Sequence, residues 1–301
     1  MFKGSIPALI TPFKNGEIDW PAYDAFVEWQ IEKGSHALVP CGTTGESPTL
    51  SHEEHKALVK RCVEITNKRI PVIAGTGSNS TREAIDFTED AKKVGADAAL
   101  IVTPYYNKPT QAGLIEHYKT IATSVELPII IYNIPGRCII DMTVDTMAEL
   151  AKMPNIVGVK DATNDLSRPL ETRKMIGHDF CQLSGEDATA SAFLAQGGHG
   201  CISVVANIAP EQSAQMHEAW QNGDIKTFER TRDLLAPLSR ALFCESSPAP
   251  VKYAASALGL CSDEVRLPLV KATENARKKV YAAMEHAGLN IISEAKIAQA
   301  I

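Results

Sequence analysis

Short apolar runs alternate with longer amphipathic stretches through the first three quarters of the chain. Residues 6–10 form an apolar run closed by Thr11 and Pro12, and 37–39, 71–74, 98–102, 128–132, 156–160, 180–183 and 201–205 repeat the pattern. Runs this short, rich in Val, Ile and Ala and bounded by Gly, Pro, Asn or Thr, predict buried strands. The stretches between them carry helix signals. Asp19 caps the first helix, with Pro21 in its opening turn and Gly34 at its end. Ser51-His52-Glu53-Glu54 and Ser80-Thr81-Arg82-Glu83 are capping boxes opening helices that run to about Asn67 and to Gly95. Further helices are predicted over 111–125, 143–152, 166–176 (disturbed by Pro169), 187–196 and 210–222.

This makes eight strand–helix units within residues 1–222. A doubly wound open sheet also alternates, but eight regular repeats fit a (β/α)8 TIM barrel better. The missing Gly-x-Gly-x-x-Gly after the first strand weakens the dinucleotide fold further. Beyond the barrel, 225–242, 251–258 and 273–286 read as helices, interrupted by Pro248 and Pro250. The expected organisation is α/β, with a barrel over 1–222 and a C-terminal helical region over 223–301. Such a tail must hide its apolar faces on the barrel or on another subunit.

Composition narrows the function classes. The 301 residues are 45% hydrophobic, enough for one large core, and the formal net charge of -6 comes with scattered Lys and Arg. Neither nucleic acid nor an anionic membrane surface is an expected partner. No apolar run reaches the length of a membrane span. Met1-Phe2-Lys3-Gly4-Ser5 lacks the basic-then-apolar order of a signal peptide, so the expected location is the cytoplasm. The seven cysteines, with no Cys-x-x-Cys pair, fit small buried hydrophobes of a reducing compartment better than a disulfide frame or zinc site.

The chain's chemistry centres on Ile-Val-Gly-Val-Lys-Asp-Ala-Thr, residues 156–163. Lys160 closes a buried strand, where an ammonium is costly unless paired or neutral. A neutral lysine is a nucleophile toward carbonyls, which suggests a Schiff-base residue; the alternative is a lysine that starts a loop and snorkels to water. In a barrel, reactive groups gather at the C-terminal strand ends. After the second strand, Cys41-Gly42-Thr43-Thr44-Gly45-Glu46-Ser47 offers amides and hydroxyls for a carboxylate. Thr103-Pro104-Tyr105-Tyr106-Asn107 follows the fourth strand. Tyr132-Asn133-Ile134-Pro135-Gly136-Arg137 follows the fifth, offering a proton-relaying phenol and a carboxylate-clamping guanidinium. Ser184-Gly185-Glu186-Asp187 and residues 203–207 follow the seventh and eighth. Each alone reads as an ordinary loop or core group. Together they describe a site for a 2-oxo acid bound as an imine, with an acidic second substrate. Gly197-Gly198-His199-Gly200 precedes the eighth strand and so belongs to the opposite face. His52-Glu53-Glu54-His55 lacks the spacing of a zinc motif, and no metal is expected there.

Gly42-Thr43-Thr44-Gly45-Glu46, the Tyr132–Arg137 segment and Lys160-Asp161-Ala162-Thr163 resemble the pyruvate-dependent class I aldolase superfamily, and within it the dihydrodipicolinate synthase family. The resemblance runs from Met1 to about Leu289. It implies a (β/α)8 barrel with a helical C-terminal region, usually a homotetramer built from dimers, needing no cofactor or metal. It implies that Lys160 forms the imine with pyruvate and that Tyr132 relays protons with Thr43 and Tyr106, the last reaching into a neighbouring subunit's site. Thr43 and Thr44 match the holders of the pyruvate carboxylate, Arg137 the residue serving L-aspartate 4-semialdehyde, and Gly185 and Ile202 positions lining the site. Ser47, His52, His55, Asn79, Glu83 and Tyr105 match a pocket for L-lysine as feedback inhibitor. Sister aldolases acting on sugar acids share the lysine and the Tyr-Asn-x-Pro turn but generally lack the arginine at 137. A non-catalytic 2-oxo-acid sensor is the remaining alternative. Pro48 departs from the smaller residue often found in lysine-inhibited members. Residues 290–301 extend past the family's usual end in a pattern suggesting a short helix.

Overall fold

The computed structural model describes residues 1–292. Strand β1 (Gly4–Pro7) is followed by a hairpin of β2 (Phe13–Lys14) and β3 (Glu17–Ile18), which sequence reasoning passed over. Its signal was present: Asn15 and Gly16 both take positive φ, as a two-residue hairpin turn demands. Helix α1 (Trp20–Glu32) starts on the Asp19 carboxylate as expected. Then come α2 (His52–Thr66), β4 (Ile73–Gly75), α3 (Thr81–Val94), β5 (Ala98–Val102), α4 (Gln111–Ser124) and β6 (Ile129–Asn133). A single turn, α5 (Pro135–Cys138), and α6 (Val144–Leu150) precede β7 (Ile156–Asp161). The barrel continues through α7 (Arg168–Ile176), β8 (Cys181–Ser184), α8 (Ala190–Ala195), β9 (Gly200–Ser203) and α9 (Pro210–Gln221). Helices α10 (Ile225–Ala241), α11 (Ala249–Ala257) and α12 (Glu274–His286) complete the described chain. The short helix expected within 290–301 falls, from 293 onward, outside the described residues.

Seven parallel strands run in the order β1-β9-β8-β7-β6-β5-β4. The expected second strand, 37–39, makes only single parallel bridges, Ala8 to Val39 and Leu38 to Val72, but these join β1 to β4 and close the ring. Every strand is therefore covered by helices outside and side chains inside, and Ile, Val, Leu and Ala fill both layers. Among the described residues no helix is long and apolar enough to cross a membrane.

Two helix starts differ from expectation. Pro169 does not disturb α7; it lies in the first turn, where no amide partner is lost. The box at Ser80 is only half made. Its hydroxyl accepts from the Glu83 amide, but the Glu83 carboxylate turns away to the Ser78 hydroxyl and to His52. The Ser51–Glu54 box on α2 is complete.

The C-terminal helices pack on the barrel: α10 lies along α9 and against α12, which also meets α11. The segment between α10 and α11 bends over the C-terminal ends of the strands, where the expected chemistry lies.

Candidate active site

Lys160 is the penultimate residue of β7, 6% exposed, and paired in register with Tyr132 of β6 on one side and Leu183 of β8 on the other. Its Nζ stands 4.0 Å from the centre of the Tyr132 ring. The amine thus meets an aromatic face and opens into a cavity of about 470 Å³. Thr43, Thr44, Tyr132, Arg137, Gly185 and Ile202 line that cavity with Lys160, all at positions read from the sequence. The ends of four successive strands, β6 to β9, and the loop after 37–39 contribute them.

The neighbours of Lys160 are fixed by groups that sequence reasoning did not single out. Asp161 points away from the cavity. One of its oxygens accepts from the Thr163 amide at 2.9 Å and the Thr163 hydroxyl at 2.6 Å; the other accepts from Arg168 Nε at 3.1 Å. Arg168 also donates to the Met142 carbonyl at 2.6 Å, and Asn133 accepts from the Met142 amide at 3.1 Å. Charge-assisted bonds of this kind lock the tips of β6 and β7 together. The available signal was the Asp-x-Thr spacing of an Asx turn after Lys160.

Gly185 approaches the amine from β8. A Cβ added there would lie 2.7 Å from the Ala162 Cβ and 3.2 Å from the Lys160 Cε, so only glycine fits. Glu186, the next residue, also lines the cavity. Burial pushes its carboxyl up from the ordinary range, the charge of Asp187 adds to that, and Lys160 and Arg137 pull it back. Asp187 instead accepts from the Ser203 hydroxyl and from the amides of Val204 at 2.8 Å and Val205 at 3.2 Å. Burial raises its carboxyl too, against the pull of those bonds. It ties the β8 loop to the tip of β9.

The loop carrying Thr43 and Thr44 is a compact double turn. Gly45 and Glu46 donate to the Gly42 and Thr43 carbonyls, each at 3.1 Å, and Thr11 Oγ1 donates to the Gly45 carbonyl at 2.7 Å. From the C-terminal region Phe243, Ser246 and Ser247 complete the cavity wall. Sequence reading placed chemistry only at strand tips and so missed them.

Tyr106 is the one expected member outside the cavity. It is 96% exposed, with a positive φ of 71° that a tyrosine rarely adopts. Tyr105 turns inward to a second cluster. Glu83 Oε1 meets His52 Nε2 at 2.8 Å, and Glu83 Oε2 accepts from the Ser78 hydroxyl. His55 stacks on Phe87 at 4.0 Å, with burial pushing its imidazole down to about 4. Tyr105 is half-buried beside Glu83 and the Asn79 backbone, and burial raises its phenol. Ser47 opens the 3-10 turn Ser47–Thr49 ahead of α2. Four of the six expected residues are thus gathered around the Glu83 carboxylate and Phe87, with Asn79 and Ser47 on the adjoining loops. Gly198 and His199 lie at the far end of the barrel, where His199 accepts from Gly4 and donates to Gln182.

A closed parallel barrel with a buried lysine at a strand tip, facing hydroxyls and an arginine, defines a (β/α)8 protein built for carbonyl chemistry. The chain belongs to the dihydrodipicolinate synthetase family, whose model matches residues 1–287. A 4-hydroxy-tetrahydrodipicolinate synthase from Rhodospirillum centenum is 65% identical over 96% of this chain and 99% of its own. Dihydrodipicolinate synthase from Acinetobacter baumannii, solved with pyruvate, is 47% identical with a TM-score of 0.94, covering 96% of this chain and 100% of that one. The enzyme from Cyanidioschyzon merolae, solved with lysine bound, is 38% identical with a TM-score of 0.93, covering 96% and 99%.

Proposed function

We propose that this chain condenses pyruvate with L-aspartate 4-semialdehyde to give 4-hydroxy-tetrahydrodipicolinate, an early step of diaminopimelate and lysine biosynthesis. The observation that carries the reading is the convergence of Lys160, Tyr132, Thr43, Thr44 and Arg137 on one cavity. The naming of the relatives and the pyruvate complex of the Acinetobacter baumannii enzyme support it.

The Lys160 amine attacks the pyruvate carbonyl, and water leaves to give an iminium. Thr43 and Thr44 hold the carboxylate through hydroxyls and amides. Loss of a methyl proton gives an enamine, whose terminal carbon forms the new bond to the aldehyde while the aldehyde oxygen takes up a proton. The substrate's own amine then attacks the iminium carbon, displaces Lys160 and closes the ring. Tyr132 carries protons through these steps with Thr43 and with Tyr106 of a neighbouring copy. Arg137, at the exposed rim, takes the carboxylate of the semialdehyde. In this reading residues 1–222 form the barrel and 223–301 the C-terminal region, whose described helices cover it, and the working form is a cytoplasmic homotetramer built from dimers. L-Lysine acts as feedback inhibitor at the cluster around Glu83, His52, His55 and Tyr105, as the lysine-bound relative suggests.

Borohydride added with pyruvate tests the covalent step. The peptide carrying Lys160 should gain a reduced pyruvate, and product should form from pyruvate and aspartate semialdehyde but not from N-acetylneuraminate. Label on a different lysine, or cleavage of the sugar acid alone, sinks the assignment.

A further inference from the structure

Glu46 lies two residues beyond Thr44, in the left-handed region at φ 58°, and its side chain is fully buried. One carboxylate oxygen accepts from Lys252 Nζ at 2.7 Å, and the other accepts from the backbone amide of Arg266 at 2.9 Å. Lys252 belongs to α11 and is buried to the same degree. Phe13, at the root of the β2–β3 hairpin, meets two cations: Lys252 Nζ is 4.1 Å from its ring centre, and the Arg266 guanidinium is 4.4 Å away. Arg266 in turn grips Glu54 of α2 with two bonds of 2.6 and 2.7 Å and donates to the Thr49 carbonyl at 3.0 Å.

A fully buried ion pair is a poor way to gain stability, because desolvating two charges cancels most of their attraction, and apolar groups of the same size do as well. What the pair supplies is direction. The Glu46 carboxylate can satisfy Lys252 and the Arg266 amide together only if residues 43–46 keep their turn and α11 keeps its place. The segment leading into α11 carries Phe243, Ser246 and Ser247, which wall the same cavity as Thr43 and Thr44.

We propose that Glu46 and Lys252 are positioning residues that hold the Thr43–Thr44 turn at the distance from Lys160 that a 2-oxo-acid carboxylate requires, making the C-terminal helices part of the active site. The inference rests on the function proposed above. It predicts a defect confined to the first substrate, since Arg137, which serves the second, is carried on a different loop.

The test uses the full chain and four variants: Glu46→Gln, Lys252→Met, the double variant, and Lys252→Arg. For Lys252→Met the pyruvate KM should rise tenfold or more and borohydride trapping at low pyruvate should slow equally, while the KM for aspartate semialdehyde stays within twofold. Lys252→Arg should recover part of the loss. The double variant removes both buried charges together, so it should melt at or above either single variant and still show the raised pyruvate KM. A double variant as stable as the parent with the parent's pyruvate KM overturns the proposal. If Lys252→Met does not fold, the double variant decides the matter alone. If neither folds, Phe13→Leu, which keeps both charges and removes the ring that Lys252 and Arg266 contact, does so: a raised pyruvate KM supports positioning, and an unchanged one overturns it. A parent that pyruvate and borohydride fail to label refutes the proposed reaction. A labelled parent with variants that match it refutes the positioning role alone.

Discussion

At the scale of single residues, the site depends on atoms that are absent as much as on those present. Gly185 leaves the space into which the Lys160 side chain extends. Gly185→Ala puts a methyl 3.2 Å from the Lys160 Cε and 2.7 Å from the Ala162 Cβ, so one of them must move. Overpacking of this kind costs about 1–3 kcal/mol. Because a shift near 1 Å in a reacting group can cost on the order of a hundredfold in rate, activity should fall much further than stability. The rate of borohydride trapping with pyruvate, set beside the melting temperature, separates the two. A variant that melts early but traps at the parental rate would show that Gly185 serves the fold only. The same positional logic explains why Glu186 went unweighted in the sequence. Its type and its place after the seventh strand were legible, but not the burial that raises its carboxyl beside Lys160 and Arg137.

At the scale of elements, most of the barrel was legible because each unit carries its own punctuation. Asp19, Ser51, Thr110 and Thr143 cap the helices they precede, and Gly95 ends α3 at positive φ. What escaped reading depended on partners far along the chain. Residues 37–39 were legible as a short apolar run, but not that they close the barrel through single bridges to Ala8 and Val72. Phe243, Ser246 and Ser247 reach the cavity because α10 and α11 fold back over it, which no local pattern encodes. Glu46 stood in the loop motif with no partner assigned and Lys252 was not singled out, since their burial depends on a contact across 206 residues. The half-made cap on α3 is informative in the same way. Glu83 gives up the return bond to Ser80 and directs its carboxylate toward His52 and Ser78. A carboxylate in that position, beside the half-buried Tyr105, suits the ammonium of an amino acid. Inhibition by L-lysine should therefore be measurable for the parent and lost, or weakened tenfold or more, in Glu83→Ala, with little change without lysine because the Ser80 cap stays in place. A parent indifferent to millimolar-range lysine refutes the regulatory role of this cluster.

At the scale of the whole molecule, two properties emerge that no single element shows. One is acid sensitivity. Burial holds His55 and His117 down to about 4 and His217 down to about 3. In the unfolded chain each would protonate near pH 6.5. The unfolded state therefore binds more protons as pH falls from about 6.5, and stability drops on the order of 1–3 kcal/mol per histidine by pH 4.5. Glu186 and Asp187, with raised carboxyls, act in the opposite sense, so over the interval from pH 7 to 5 a variant lacking one buried histidine isolates that histidine's part. The urea midpoint should fall across that interval, and less steeply in His217→Gln; equal midpoints at pH 7 and pH 5 would refute the account. The other is an apolar face left in solvent. Tyr106 is 96% exposed and Ile139 is 74% exposed, and both hold positive φ on the loops after the adjacent strands β5 and β6. A β-branched residue and a tyrosine in that conformation cost of order 1–3 kcal/mol each, and both leave apolar surface in water. A second copy docking on this face would cover both and carry each Tyr106 to the other subunit's Tyr132. Tyr106→Phe should then be nearly inactive in a homomeric assembly, and so should Lys160→Ala. Mixed under conditions that exchange subunits, the two should regain activity, because half of the sites in a hybrid dimer combine an intact Lys160 with an intact Tyr106 from the neighbour. Hybrids shown to form by mass, yet with no activity above that of the parent variants, would confine Tyr106 to its own subunit and leave the relay without its third member.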